Sequence, residues 1–232
     1  MSEYSVEPGE VHVWRTELLQ PDGVLDKFWT TLEADETQRA NRFHFEKHRR
    51  AFVVGRGFLR DVLSRYLDGK PKSLRFSYGE YGKPALNGEQ KSTRLRFNMS
   101  HSHNLALLAI TADNQIGVDV EYIRADFASA DIAQRFFSRA EVECFDALAR
   151  EDRVAAFFRC WTRKEAFIKA TGKGLSQSLD GFDVTLAPGV AAELLRVEQE
   201  DPARWFLSDI EVGDEYAAAL AVEGRVSKIQ SL

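Results

Sequence analysis

The chain of 232 residues has little cysteine and proline, and no long apolar run. Cys144 and Cys160 are its only cysteines, too few for the disulfide framework of a small secreted domain. Both sit in helical patterns and are expected to be buried thiols in a reducing compartment. No stretch supplies the roughly 18 consecutive apolar residues of a membrane span. The acidic opening MSEYSVEPGE has no apolar segment resembling a signal peptide. Positive charge is also in short supply: the formal net charge is −5, so no whole-chain field draws the protein to nucleic acid or an anionic membrane. The expected setting is the cytoplasm, and an anionic ligand would need a local basic patch.

What is present is ordinary globular material, 44% hydrophobic and 29% charged, enough for a sizeable core. VHVWRTEL reads as a strand, VLDKFWTTLEA as a short helix, and HRRAFVVGRGFLRDVLSRYLDG as a long amphipathic helix stopped by Gly69 with Pro71 just beyond. LRFSY, LRFNM and LALLAI read as strands. After the turn TADNQ the order repeats in outline. IGVDVEYI is a strand, SRAEVECFDALAR and RVAAFFRCWTRKEAFIKATG are helices, and FDVTL, WFLSDI and YAAALAV are strands. This pattern implies an α+β fold of two similar halves, residues 1–112 and 113–232. Each half is expected to hold a three- to four-stranded, mainly antiparallel sheet with packed helices, and a ligand pocket is expected between them.

In CWTRKEAFIKATGKGLS (160–176), Val154, Phe157, Phe158, Trp161 and Ile168 recur at helical spacing and predict one apolar face. Glu165 falls inside that stripe. A carboxylate turned to a core is costly unless it is paired, protonated or metal-bound. Pairing with Lys169, one turn on, contributes only about 0.2–0.5 kcal/mol on an exposed helix and leaves the position unexplained. In IGVDVE (116–121), Val118 and Val120 face one side while Asp119 and Glu121 face the other, their side chains roughly 6–7 Å apart. A solvated strand face accounts for those two residues alone. Glu165 shifts the weighing, because three carboxylates from two elements can make a site for a hard cation such as Mg2+. The His101-Ser102-His103 spacing has no partner cluster and does not suggest zinc.

Lys83 in EYGKPALN, with Ser100 and His101 in FNMSHS, is a candidate phosphate contact. An ordinary turn and a satisfied structural histidine are the competing explanations. The densest basic segment holds Arg42, Lys47, His48, Arg49, Arg50, Arg56 and Arg60. Glu141 closes a capping box with Ser138, and Gly172-Lys173-Gly174 reads as a helix C-cap and turn.

Taken together, YGKP (81–84), FNMSHS (97–102), IGVDVE (116–121), FFSRAE (136–141) and WTRKEAFIKATGKGLS (161–176) resemble the 4′-phosphopantetheinyl transferases of the surfactin-synthetase-activating (Sfp) type, in order and spacing from about residue 36 to 186. The resemblance implies a pseudo-twofold monomer with its site between the halves. The reaction it implies is Mg2+-dependent transfer of the phosphopantetheine arm of coenzyme A to a serine of an apo acyl- or peptidyl-carrier protein. Adenosine 3′,5′-bisphosphate would be released. Asp119, Glu121 and Glu165 match the metal carboxylates and Lys169 the catalytic lysine. Lys83, Ser100 and His101 match coenzyme A contacts. Glu165 is the favoured general base, with Glu141 second. Where the family uses basic residues and a threonine for the nucleotide, this chain has Glu36, Arg39, Ala51 and Phe52. Arg39 is the expected substitute, with Arg49, Arg50 or Arg56 at the 3′-phosphate. Two rival readings are a Mg2+-dependent phosphohydrolase of coenzyme A-like pyrophosphates and a non-catalytic coenzyme A- or carrier-binding module.

Overall fold

A computed structural model describes residues 2–198 and 200–232. In chain order the elements are β1 (Glu10–Glu17), α1 (Asp22–Trp29), α2 (Ala34–Asn41), α3 (Glu46–Tyr66), β2 (Arg75–Tyr78), β3 (Pro84–Asn87), β4 (Leu95–Ser102), β5 (Leu105–Ala112), β6 (Ile116–Tyr122), α4 (Ala130–Phe136), α5 (Arg139–Ala147), α6 (Arg153–Thr171), β7 (Phe182–Val184), β8 (Leu194–Val197), β9 (Trp205–Asp209), β10 (Tyr216–Glu223) and β11 (Lys228–Ser231). The α+β class with two similar halves is what the sequence pattern implies. One sheet runs β11-β1-β5-β4 and the other β6-β10-β9, with β2-β3 and β7-β8 as separate hairpins.

The two main sheets pack against each other through apolar side chains. Val11, Val13, Leu107 and Ala109 of the first meet Val118, Val120, Leu220 and Val222 of the second. The opposite faces carry helices. Val54, Phe58, Val62 and Leu63 of α3 cover Leu108 and Ile110 of the first sheet. Phe167 and Ala170 of α6 cover Ala219 and Ala221 of the second. The nearly continuous apolar runs of β5 and β10 follow directly, since a strand covered on both faces must be apolar on both.

Gly117 allows the closest of these approaches. A Cβ there would stand 2.1 Å from the Ala166 carbonyl oxygen and 2.3 Å from the Ala170 nitrogen. Only a glycine lets β6 lie directly on α6, which brings Asp119 and Glu121 beside Glu165 and Lys169. The long helix stops at Tyr66, before Gly69. The end of α6 matches its sequence signal: Gly172 takes φ 70° and its N–H caps the Ile168 carbonyl.

The structure departs from the sequence expectation in three places. The segment read as one short helix (24–34) stops at Trp29 as α1, and a second helix, α2, opens at Ala34 with its own capping box, Glu33 with Glu36. The last strand does not stay with the second half. β11 runs parallel to β1 in the first sheet, Glu10 opposite Lys228, and covers what would be an open strand edge. Cys144 is exposed, and only Cys160 is buried. Among the described residues, no helix is long and apolar enough to cross a membrane.

Candidate active site

A cavity of about 280 Å³ opens between the halves. The N-terminal half supplies Tyr81 to Pro84, Asn98 and Met99; the other supplies Glu165, Ile168 and Lys169 of α6, with Gly172 and Gly174. The turn after α6 is fitted to the hairpin: Gly174, at φ 52°, lies so close under Tyr81 that a Cβ would meet its ring at 2.6 Å.

Asp119 is 2% exposed. Its Oδ1 accepts from the Ser100 hydroxyl at 3.0 Å and from the Lys169 ammonium at 2.6 Å. Lys169 also donates to Ser100 Oγ at 2.9 Å, which closes a three-membered network across the seam. Asp119 Oδ2 is different: it is buried and, among the described residues, has no hydrogen-bond partner. A bare carboxylate oxygen in a protein interior is costly and calls for an explanation. Glu121, on the same strand face, accepts from Ser102 Oγ at 2.8 Å.

Glu165 is half-buried in the cavity wall. Burial pushes its carboxyl above the ordinary glutamate range, and the Asp119 and Glu121 charges push the same way against Lys169. Glu121 is raised for the same reasons, burial first and Asp119 second. Asp119 thus raises both Glu121 and Glu165, and Glu121 raises Glu165. Among the described residues, however, no three His, Cys, Asp or Glu side chains stand in a ready-made metal cage. The donor set is all oxygen, its charges repel, and one buried oxygen is bare. Those features fit a hard divalent cation with an incomplete protein shell completed by substrate oxygens and water.

The remaining expected residues divide. His101 is exposed at the rim; desolvation by the cleft wall and the Lys169 charge hold its imidazole below the usual histidine range. It lines a neighbouring cavity of about 480 Å³ with Arg39, Lys47, His48, Phe43 and Phe52, and Arg39 lies over the Phe52 ring at 5.2 Å. Arg49, Arg50 and Arg56 are not brought there. Arg50 donates to Asp22 at 2.7 Å and to the Gln20 carbonyl at 2.8 Å. Arg49 pairs with Glu46 at 2.5 Å, and both line a separate cavity beside Trp29. Arg56 and Arg60 are held by the buried Glu36 carboxylate. Arg49, Arg50 and Arg56 are thus paired with local carboxylates and do not line the cavity that holds Arg39 and His101. Lys47 and His48, both in the basic segment, line the cavity with Arg39 and His101 instead.

Lys83 reaches into the seam instead of standing free in the cavity. Its ammonium donates to the Ile116 carbonyl at 3.0 Å and to the Ala170 carbonyl at 3.2 Å. Burial lowers its pKa to about 8. An amine keeps two N–H donors after losing its proton, so both contacts are available to either form.

Glu141 is engaged elsewhere. Its Oε2 accepts from the Ser138 N–H and the Lys164 ammonium, each at 2.8 Å, and its Oε1 accepts from the Val184 N–H at 2.8 Å. Lys164 is itself fully buried and donates to the Leu179 and Phe182 carbonyls, each at 2.6 Å. Every Glu141 oxygen is engaged in holding α5, α6 and β7 together, and the residue lines a different cavity from the one that Glu165 and Lys169 share.

Comparison with known proteins covers both halves. A family model described as the 4'-phosphopantetheinyl transferase superfamily matches residues 115–221. A second, 4'-phosphopantetheinyl transferase, N-terminal, matches residues 22–113. The chain is 43% identical over 215 residues to the 4'-phosphopantetheinyl transferase HetI of Nostoc sp., an alignment spanning 93% of this chain and 88% of the relative. It is 33% identical over 162 residues to the 4'-phosphopantetheinyl transferase Sfp of Bacillus subtilis, 69% of each chain. A solved holo-(acyl-carrier-protein) synthase from Bacillus anthracis, in complex with CoA (3',5'-ADP), aligns at 20% identity with a TM-score of 0.40, covering 48% of this chain and 96% of that one.

Proposed function

The chain belongs to the 4′-phosphopantetheinyl transferases, and we propose that the cavity between its halves runs their reaction with Glu165 as general base and Lys169 at the leaving phosphate. The enzyme transfers the phosphopantetheine group of coenzyme A to carrier proteins. Neither the phosphohydrolase nor the non-catalytic binding module has comparable support.

The observation that carries the assignment is the bare, buried Asp119 Oδ2 among three mutually repelling carboxylates. Asp119, Glu121 and Glu165 would hold Mg2+. Bound there, the ion offsets the charge of the coenzyme A pyrophosphate. The serine hydroxyl of the apo carrier attacks the β-phosphorus, the phosphorus that bears the pantetheine arm. The bond from that phosphorus to the bridging oxygen breaks, and adenosine 3′,5′-bisphosphate leaves with the bridging electrons. The serine proton passes to Glu165, the carboxylate that lines the cavity beside Lys169. Lys169, already placed in the cavity by Asp119 and Ser100, stabilises the charge growing on the departing phosphate. Arg39, Lys47, His48 and His101 form the basic wall assigned to the nucleotide end of coenzyme A, with the Phe43 and Phe52 rings beside them. Ser100 and Lys83 hold the wall between the sites.

The partner is an apo acyl- or peptidyl-carrier protein. A monomer suffices, because both halves of the site come from one chain, and the reducing cytoplasm is the proposed location. The test is mass spectrometry of apo carriers incubated with the protein, coenzyme A and Mg2+. A gain of one phosphopantetheine group on a carrier is expected. Phosphopantetheine released to water at the same rate with and without carrier would overturn the assignment in favour of a hydrolase.

A further inference from the structure

β4 and β6 are edge strands of different sheets that lie against each other, and among the described residues no backbone ladder joins them. Side chains replace the ladder. Asn98, Ser100 and Ser102 alternate along β4 and so project to the same side. Asn98 Oδ1 accepts from the Val118 N–H at 2.9 Å. Ser102 Oγ accepts from the Tyr122 N–H at 3.1 Å and donates to Glu121 Oε2 at 2.8 Å. Lys83 fastens the start of β6 by its contact with the Ile116 carbonyl and ties that point to the end of α6 at Ala170. Between these anchors, Ser100 holds Asp119. The exposed edge of β6 is thus satisfied at Ile116, Val118 and Tyr122 by three side chains of the other half.

From this we infer that the seam is a polar zipper that aims the β6 carboxylates, with Ser102 as a positioning residue that fixes Glu121 through its carboxylate and through the neighbouring amide. The inference rests on the transferase assignment for its catalytic consequence, but its geometry stands apart from it. Ser102 uses one hydroxyl in both directions: the oxygen accepts from the backbone, so the hydroxyl proton is committed to Glu121. That arrangement settles which way the carboxylate turns. Groups that orient the ligands of a metal ion typically change its affinity or the activity by about 10–100-fold.

The experiment compares the wild-type protein with Ser102→Ala, Ser102→Thr and Asn98→Ala. Mg2+ binding is titrated by calorimetry on the protein alone, transfer is followed against Mg2+ concentration, and amide exchange is measured at Val118 and Tyr122. Ser102→Ala is expected to weaken Mg2+ binding and raise its half-saturating concentration for transfer by about 10–100-fold. The KM for coenzyme A should move little, the Tyr122 amide should exchange faster, and Ser102→Thr should restore most of the loss. Asn98→Ala should speed exchange at Val118. Ser102→Ala with wild-type Mg2+ affinity would overturn the positioning role, whatever its exchange. Unchanged exchange at both amides would overturn the zipper itself. If the wild-type protein binds Mg2+ but modifies no carrier, the transferase assignment falls while calorimetry and exchange still decide the zipper.

Discussion

Helix α6 carries two lysines five residues apart, each paired with a carboxylate of another element, and the two pairs could hardly differ more. Lys164 meets Glu141 at 2.8 Å, and Lys169 meets Asp119 at 2.6 Å. Around the first pair, every Glu141 oxygen has a partner and Lys164 adds two carbonyls. Around the second, Asp119 keeps one buried oxygen bare among the described residues, and neighbouring carboxylates add to burial in raising Glu121 and Glu165, whereas burial alone raises Glu141. Burial of charge does not separate them, since Glu141 and Asp119 are each 2% exposed. Completion does. A closed network serves the scaffold, whereas an open one at a cavity wall is poised for something that binds.

The sharpest way to break that comparison is to neutralise one carboxylate in each network. Glu165→Gln should lower kcat by about 10²–10⁴-fold, the usual worth of a positioned general base, while the melting temperature holds or rises. Glu141→Gln should do the reverse. It strands a buried Lys164 charge, and losing one partner of a buried pair typically costs about 3–5 kcal/mol. The folded fraction should then turn over normally. Steady-state kinetics beside thermal melts decides, and a Glu165→Gln enzyme with near-normal turnover would remove that residue as base and essential ligand together.

The lysines offer the same contrast with a smaller catalytic term. Lys169→Met should reduce kcat by about 10²–10³-fold, as for the loss of one preorganised charge donor, with a stability loss smaller than that of Lys164→Met, because Asp119 keeps its Ser100 bond and Lys169 is partly exposed. Lys164→Met should leave kcat per folded molecule near wild type and lower the melting temperature. Equal stability losses from the two substitutions would show that the pairs are not different in kind.

Much of this contrast was legible in the sequence. Val118 and Val120 against Asp119 and Glu121 is a simple two-residue alternation. Glu165 stood out because one carboxylate interrupted an apolar helical stripe. The capping box at Ser138 and Glu141 could be read too, since both residues lie within four positions. What escaped depends on distant partners. Nothing local shows that Lys164 and Arg163 are fully buried, because Asp209, Thr185 and the carbonyls that receive them lie 15 to 46 residues away. Arg56 looked like a free phosphate ligand until Glu36, twenty residues earlier, proved to hold it. Ser102 reads in the sequence only as one short polar residue of a serine–histidine run beside Ser100 and His101, and its contacts with Glu121 and Tyr122 appear only once β6 lies alongside. The return of β11 to β1 joins the two ends of the chain, a pairing that no periodicity reports.

The smallest expected effect concerns pH, and it probes the open network without touching catalysis. The folded-state pKa values of Glu165 and Glu121 lie above the ordinary glutamate value of 4.5. A carboxyl with a raised folded pKa binds its proton more tightly in the native state, so its contribution is present below the unfolded value and is lost as pH rises through the folded one. In metal-free protein, raising the pH from about 4.5 toward neutral should therefore progressively favour Glu165→Gln over wild type in melting temperature, by a few degrees at most, about what 1 kcal/mol produces in a chain of this size. Mg2+ should reverse the trend, because binding to the native state alone raises wild-type stability by mass action and the variant has lost one ligand. The gap between the two melting curves, with and without Mg2+ across that range, is the measurement. A gap that stays flat with pH would mean that the Glu165 carboxyl does not feel Asp119 and Glu121, and the likeness between this open network and a cation site would fail at its electrostatic root.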